Sequence, residues 1–367
     1  MPHARIHRLA MRGPNDTNLI ESVIRTGNID PASIVAILGK TEGNGCVNDF
    51  TRGYAVQSLR LMLARHLDHE AIDRIAFVMS GGTEGGLAPH WIVVESLAGD
   101  HRIAGPALAV GSIVTRALAP EEIGKGAQID VVAQAVETAM STLGISNPDD
   151  VHFVQIKCPL LTAERVADAR ERGFITATTD TLKSMGLSRG ASALGVAVAL
   201  GELKRSAIQD AAIGTDRMLY STRASTSAGV ELLAHEIVVM GMSQDWTGPL
   251  RIDHAVMADG LDVEPVRAAL ERLGLGFPGQ IPAAHRDRLV ALLAKAEAPT
   301  SGRLRDHRHT MLDDSDISST RHARGFVAGA LGALVGHAEL FVSGGAEHQG
   351  PDGGGPIAVI VATSKAS

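Results

Sequence analysis

Short, β-branched apolar runs along this chain alternate with longer segments in which apolar residues recur every three or four positions. Ile34 to Leu38 is such a run, and it ends in a polar, glycine-rich turn, Gly39-Lys40-Thr41-Glu42-Gly43. Thr51-Arg52-Gly53-Tyr54 then opens a helical pattern through Leu67, with Val56, Leu59, Leu63 and Leu67 as its apolar positions. Ile75 to Met79 predicts a strand leading into Ser80, and residues 99–120 read as a linker with an edge strand. Helical patterning returns over Val131 to Leu143. A strand over Val151 to Ile156 ends in Lys157-Cys158-Pro159, and a helix over Ala163 to Arg172 follows. Ser188-Arg189-Gly190-Ala191 opens a further helix through Leu203, and Ile237 to Met240 predicts a strand. A third section starts near Ile252. There Val263 to Leu273 is helical, Leu289 to Ala294 is apolar and runs into Lys295, and Ala323-Arg324-Gly325-Phe326 opens a helix through Val335. Leu340 to Val342 and Ile357 to Val361 are strands on either side of a glycine-rich loop, Gln349 to Gly355.

Three features recur in this pattern in the same order. An apolar run ends in a lysine, at Lys40, Lys157 and Lys295. A helix opens on Arg-Gly, at Arg52, Arg189 and Arg324. A strand adjoins a turn of the form Ser-(Gly/Ala)-Gly-x-Glu, at Ser80, Ser227 and Ser343. The spacings differ between copies, so this is an old triplication or a convergent pattern, not a short solenoid repeat.

Composition narrows the class. A chain of 367 residues is long for one ordinary core and suggests two or three units. Hydrophobic residues make up 45% and charged residues 20%, a globular balance. A net charge of -7 argues against nucleic acid as the main partner. Two cysteines, Cys46 and Cys158, imply no disulfide framework, and a reducing, cytoplasmic setting fits. The first twelve residues carry histidines and arginines but no apolar core of a signal peptide. No apolar run is long enough to span a bilayer: Phe326 to Val342 is broken by His337 and Glu339 and reads as a buried helix followed by a strand.

The recurring residues carry chemistry. Burial and neighbouring cations lower the pKa of a lysine and make it a general base. Such a base activates a serine hydroxyl within its reach. A small residue after the serine leaves a backbone N–H free to face a developing oxyanion. Arginine at a helix start adds fixed donors. Three such sets around one point would suit a flat ring with three carbonyls. Other motifs are weaker. Gly39-Lys40-Thr41 is not a phosphate-binding loop, because Ile34 stands where that motif needs glycine. His307-Arg308-His309 lies among Arg303, Arg305 and Arg308, which disfavour a metal, so a surface loop is expected. Cys158 reads as a buried structural cysteine. Glu297 and the carbonyl-rich loop Ala346 to Gly354 could hold a hard cation.

At these residues the chain resembles the cyanuric acid hydrolase and barbiturase family of ring-opening amidases. The resemblance rests on 37–45, 77–85, 151–161, 188–195, 224–231, 311–324 and 342–356, and with the helices between them covers nearly the whole chain. It implies an α/β fold of three similar units around a pseudo-threefold axis with one central active site, here residues 1–104, 112–249 and 255–366. It implies hydrolysis of cyanuric acid to carboxybiuret, which loses carbon dioxide to give biuret. The catalytic pair falls on Lys157 and Ser227. Ring-binding positions fall on Arg52, Ser80, Gly81, Arg189, Ser227, Ala228, Arg324, Ser343 and Gly344, and a specificity position on Thr320. A structural Mg²⁺ or Ca²⁺ site falls on Glu297, Ala346, Gln349, Gly350, Pro351 and Gly354, largely through backbone, and no organic cofactor is expected. The expected partner is a small cyclic amide, with neither nucleic acid nor membrane, and the expected assembly is a homotetramer. Three alternatives stay open: a barbiturase, a non-catalytic heterocycle-binding protein using the three arginines, and a metal-dependent amidohydrolase using His307 and His309.

Overall fold

The computed structural model describes residues 1–99 and 105–363. The tips of the first and third expected units, 100–104 and 364–366, lie outside the described residues. In chain order, the first elements are β1 (Pro2–Ala10), α1 (Asn18–Arg25), β2 (Ile34–Thr41), α2 (Phe50–Leu63), α3 (His69–Asp73), β3 (Ala76–Gly81) and β4 (His90–Ala98). Next come β5 (Ala107–Val114), α4 (Gly126–Thr142), β6 (Val151–Cys158), α5 (Ala163–Glu171), α6 (Thr181–Ala199), β7 (Ala224–Ala228) and β8 (Glu236–Ser243). The last are β9 (Leu250–Met257), α7 (Glu264–Arg272), β10 (Leu289–Ala296), β11 (Arg303–Leu304), β12 (His307–Arg308), α8 (Ser319–Val335), β13 (Phe341–Gly344) and β14 (Gly355–Ala362).

These strands build three four-stranded sheets, ordered β1-β4-β2-β3, β5-β8-β6-β7 and β9-β14-β10-β13. Within each sheet the first strand pairs antiparallel with the fourth, the fourth antiparallel with the second, and the second parallel with the third. The parallel pair needs a crossover, and α2, α6 and α8 supply it. One face of each sheet meets a shared interior: Leu38, Val78 and Ile92 from the first, Phe153 and Val239 from the second, Leu293, Phe341 and Ile360 from the third. The opposite faces are covered by helices. Ile37, Phe77 and Trp91 pack with α1 and α2, while Leu292, Val342 and Val359 pack with α7 and α8. Strands buried on both faces have no polar side to show, so β2, β6 and β10 read as nearly continuous apolar runs.

The expected linker and edge strand correspond to β5, which lies at the edge of its sheet. Three helix starts differ from the sequence reading: α4 begins at Gly126, five residues before the expected Val131, and the other two change where an arginine sits. Helix α6 begins at Thr181, capped by Asp180, whose carboxylate accepts the N–H of Lys183, so Arg189 sits in mid-helix. Helix α8 begins at Ser319, which places Arg324 in its second turn. Arg52 alone of the three occupies the first turn of its helix, capped by Asp49. Only Arg52 of the three therefore stands at the positive end of its helix. Among the described residues no helix is long and apolar enough to cross a membrane.

Candidate active site

Each of the three lysines stands directly across a parallel strand pair from its serine: Lys40 opposite Ser80, Lys157 opposite Ser227 and Lys295 opposite Ser343. Directly opposed residues project to the same face of a sheet, so each pair meets on one side. All six are buried. Lys40 donates to Ser80 Oγ at 3.2 Å, and Lys295 donates to Ser343 Oγ at 3.3 Å. Lys295 also reaches the carbonyls of Thr226 at 2.9 Å and Gly344 at 3.0 Å. The middle pair differs. Lys157 donates to the Met79 carbonyl at 3.0 Å and lies 3.4 Å from the Glu231 carboxylate. Ser227 Oγ is buried without a hydrogen-bond partner.

The three turns converge on one small pocket. Arg52, Ser80, Gly81, Arg189, Ser227, Ala228, Arg324, Ser343 and Gly344 line it, together with Gly45, Met79 and Met185. Every ring-binding position expected from sequence is thus at one place, although the residues come from all three sheets. The second glycine of the first and third turns takes a left-handed conformation, φ 105° at Gly82 and 75° at Gly345, which favours glycine. The position after each serine differs for a steric reason. A Cβ at Gly81 would strike the Asp49 carboxylate and one at Gly344 the Thr320 methyl, whereas the second turn accommodates Ala228.

The glutamate that ends each turn is the feature whose role sequence reasoning missed. Each one faces an arginine on the crossover helix of another sheet. Arg324 makes two bonds to Glu84, at 2.9 and 2.7 Å, and Arg189 makes two to Glu347, at 2.7 and 2.6 Å. Arg52 stands 4.0 Å from Glu231 and donates instead to the Cys46 carbonyl at 2.9 Å. The glutamate was visible in all three copies of the pattern, and that repetition was the available signal.

Burial dominates the electrostatics. It pushes the Lys157 pKa down, Arg52 adds to that effect, and Glu231 opposes it. The cation beside Lys157 is Arg52, whereas Arg189 lies near Lys295. Burial and Arg189 bring Lys295 down to about 7. Burial, then Arg324, holds Lys40 well below its ordinary value. Burial resists ionisation of Glu231 and Glu347, but Lys157 and Arg52 outweigh it for the first and Arg189 for the second, so both are held below the usual carboxylate range.

Glu297, Ala346, Gly350 and Pro351 line a second, adjoining pocket with Thr320. Glu297 accepts from the Ala298 N–H at 3.0 Å and from the Thr320 hydroxyl at 3.2 Å. Burial and the negative charge of Glu347 raise its pKa. The Ala346 and Pro351 carbonyls each accept one backbone N–H, from Gln349 and Gly354, and retain a second lone pair. A half-buried carboxylate with no direct basic partner among the described residues, beside spare carbonyl oxygens, fits a hard cation. The Gln349 side chain is taken: it accepts from the Thr226 N–H at 2.6 Å and donates to the Gly345 and Glu347 carbonyls, which leaves only its backbone for a ligand. Gly354 is outside this lining and closes the loop through its N–H. Thr320 sits between the two pockets, in the first turn of α8.

The other candidates separate from this site. His307 and His309 lie on a surface hairpin, where His309 contacts the Pro299 carbonyl. Cys158 is buried, donates to the Ser227 carbonyl at 3.4 Å, and has its thiol pKa raised by burial. Among the described residues, His152, Asp253 and His254 bring three metal-capable side chains together. Asp253 there is held by Arg272 at 2.6 Å, and Arg223 lies close to His254, so the cluster is already cationic.

The model of a family described as amidohydrolase ring-opening protein matches residues 5–362. A cyanuric acid amidohydrolase of Bradyrhizobium sp. (strain ORS 375) is 62% identical over 98% of this chain and 97% of its own length. One of Azorhizobium caulinodans is 59% identical over 99% of each. A crystal structure described as a cyanuric acid hydrolase from A. caulinodans superposes with a TM-score of 0.91, at 58% identity and 99% coverage of both chains. A second solved structure, described as a cyanuric acid hydrolase that arose by structural concatenation, gives 0.94 at 51% identity, covering 99% of this chain and 100% of its own. On the family match and these full-length likenesses, the chain belongs to the ring-opening amidohydrolases.

Proposed function

We propose that this protein opens the ring of cyanuric acid by hydrolysis, with Ser227 as nucleophile and Lys157 as its base. The observation that carries the assignment is the contrast among the three serines. Ser80 and Ser343 accept from their lysines, while the Ser227 hydroxyl faces the pocket with no partner. Lys157 stands opposite it in register, and catalytic hydrogen bonds commonly tighten only when substrate is bound. A neutral Lys157 takes the Ser227 proton as Oγ bonds to a ring carbonyl carbon. The carbon–nitrogen bond breaks, and the lysine returns the proton to the departing ring nitrogen. Water then cleaves the acyl-enzyme ester by the same route and releases carboxybiuret, which loses carbon dioxide to give biuret. Ala228 N–H is the candidate oxyanion donor, and the arginines with Ser80 and Ser343 hold the remaining carbonyls.

The cyclic order of contacts supports three units, 1–104, 112–249 and 255–366, around a pseudo-threefold axis. Arginines on the crossover helices of the third, first and second sheets face the turn glutamates that follow β3, β7 and β13. Glu297 with the carbonyls of Ala346, Gly350 and Pro351 and the backbone of Gln349 would hold Mg²⁺ or Ca²⁺, which supplies charge neutralisation and fixes the last loop, while Gly354 closes that loop through its N–H. The working assembly is a homotetramer. A panel of cyanuric acid, barbituric acid, uracil and dihydropyrimidines, with products identified, tests the reading. Cyanuric acid should give biuret and carbon dioxide. Turnover of barbituric acid in its place, or of no compound, would overturn it.

A further inference from the structure

Two of the three glutamate–arginine pairs around the pocket are closed, and the third is open. Arg52 is 2% exposed, yet its Nε has no hydrogen-bond partner among the described residues, because Glu231 stands at the long ion-pair distance of 4.0 Å. Glu231 lies nearer to Lys157, at 3.4 Å. Lys157 in turn is the one lysine of the three that does not donate to its own serine among the bonds around the pocket. Both irregularities therefore meet at Glu231. Its place is not loose: Arg165 donates to the carbonyls on either side, Val230 at 3.3 Å and Leu232 at 2.8 Å.

We infer that Glu231 is a positioning residue that sets the Lys157–Ser227 pair apart from its two counterparts, orienting Lys157 and leaving one edge of Arg52 open to substrate. The inference rests on the assignment of Lys157 and Ser227 as the reacting pair. When Lys157 takes the serine proton it becomes an ammonium in a buried place. A carboxylate 3.4 Å away stabilises that charge without itself gaining a proton, as the third member of a nucleophile–base–orienter set does. Glu84 and Glu347 are committed to bidentate arginine pairs. The charged and titratable groups around Glu231 and Lys157 are Arg52 and Arg60 from α2, His69 from α3, Arg165 from α5, Cys158 from β6 and Glu236 from β8.

Removing the carboxylate charge from beside Lys157 lowers the lysine pKa. In Glu231→Gln the acid limb of the kcat–pH profile should move down by about one unit or more, and kcat should fall ~10- to 100-fold at neutral pH. The kcat profile is the right readout, because it reports groups in the enzyme–substrate complex and not the ionisation of free substrate. Glu231→Asp should restore the limb in part. Glu84→Gln and Glu347→Gln should raise KM and leave the limb in place. An acid limb that stays put in Glu231→Gln, or moves equally in all three variants, overturns the inference. Ser227→Ala is measured alongside: if it turns over cyanuric acid normally, the assignment of the dyad fails instead, and the two failures are told apart.

Discussion

Lys295 is 1% exposed and donates to two carbonyls and a hydroxyl. Its pKa falls from 10.5 to about 7, so between those values the unfolded chain holds a proton that the folded protein has released. Stability therefore rises with pH across that window, by a contribution on the order of a few kcal/mol, and the cost is fully present below it. Lys295→Met removes this dependence. Denaturant melts at pH 7 and pH 10 should show the variant losing ground to the parent protein as pH rises, and a difference independent of pH would contradict the assignment. Thr320 is a second residue with a specific consequence. Its hydroxyl is spent on Glu297 and its methyl occupies the space a Cβ at Gly344 would need, so it shapes the wall between the two pockets. Substitution of Thr320 should change the ratio of cyanuric acid to barbituric acid turnover about tenfold while the protein stays folded, the scale of one misplaced methyl-sized contact. An unchanged ratio across Ser, Val and Ala at this position would exclude it. At this scale the lysines, serines and arginines were legible in sequence because they recur in order. The pairing of Glu84, Glu231 and Glu347 was not, because each partner lies on a helix far away in sequence and no local pattern marks it.

Strand β7, Ala224–Ala228, shows where the pattern of apolar positions is silent. Its sequence is Ala-Ser-Thr-Ser-Ala, fully buried with three hydroxyl residues between two alanines, and the sequence reading gave the strand role to the later run Ile237 to Met240, which is β8. A buried polar strand needs partners for its groups, and long-range ones provide them. Gln349 accepts the Thr226 N–H, Lys295 donates to the Thr226 carbonyl, and the Thr226 hydroxyl donates to the Arg189 carbonyl. The strands β1, β4 and β9 and the helix α1 were also absent from that reading, whereas the crossover helices and the lysine-bearing strands were present, with helix starts displaced at α4, α6 and α8. Gln349→Ala would leave the Thr226 N–H buried and unpaired one residue from Ser227, a loss of about 1–3 kcal/mol. The denaturant midpoint should fall accordingly and kcat should fall with it, since β7 carries Ser227, the proposed nucleophile. Full stability in this variant would mean that water replaces the amide, and would remove the argument for how β7 is held.

Three sheets of one strand order place three nearly equivalent lysine–serine sets at one pocket, yet only one ring carbonyl is attacked in a turnover. The repetition was visible along the chain, and with it the expectation of a shared centre. What distinguishes the copies was not, because Glu231, Arg52 and the unpartnered Ser227 acquire their differences only through contacts between sheets. The pocket proposed for a cation belongs to the same scale, since Glu297, just after β10, adjoins the loop that braces β7. Chelation should lower the melting temperature more than it lowers the initial rate, and an immediate, metal-reversible loss of kcat in otherwise folded protein would contradict a structural role. The most direct measurement is kcat on cyanuric acid for Ser227→Ala, Ser80→Ala and Ser343→Ala, with Lys157→Ala and the Ser227→Ala/Lys157→Ala double variant. Ser227→Ala and Lys157→Ala should each lose ~10³-fold or more, and the double variant little beyond either, because two groups acting as one unit are strongly non-additive. Ser80→Ala and Ser343→Ala should keep measurable turnover with raised KM. A folded Ser227→Ala protein with near-normal kcat, beside an inactive Ser80→Ala or Ser343→Ala, would move the nucleophile to another copy.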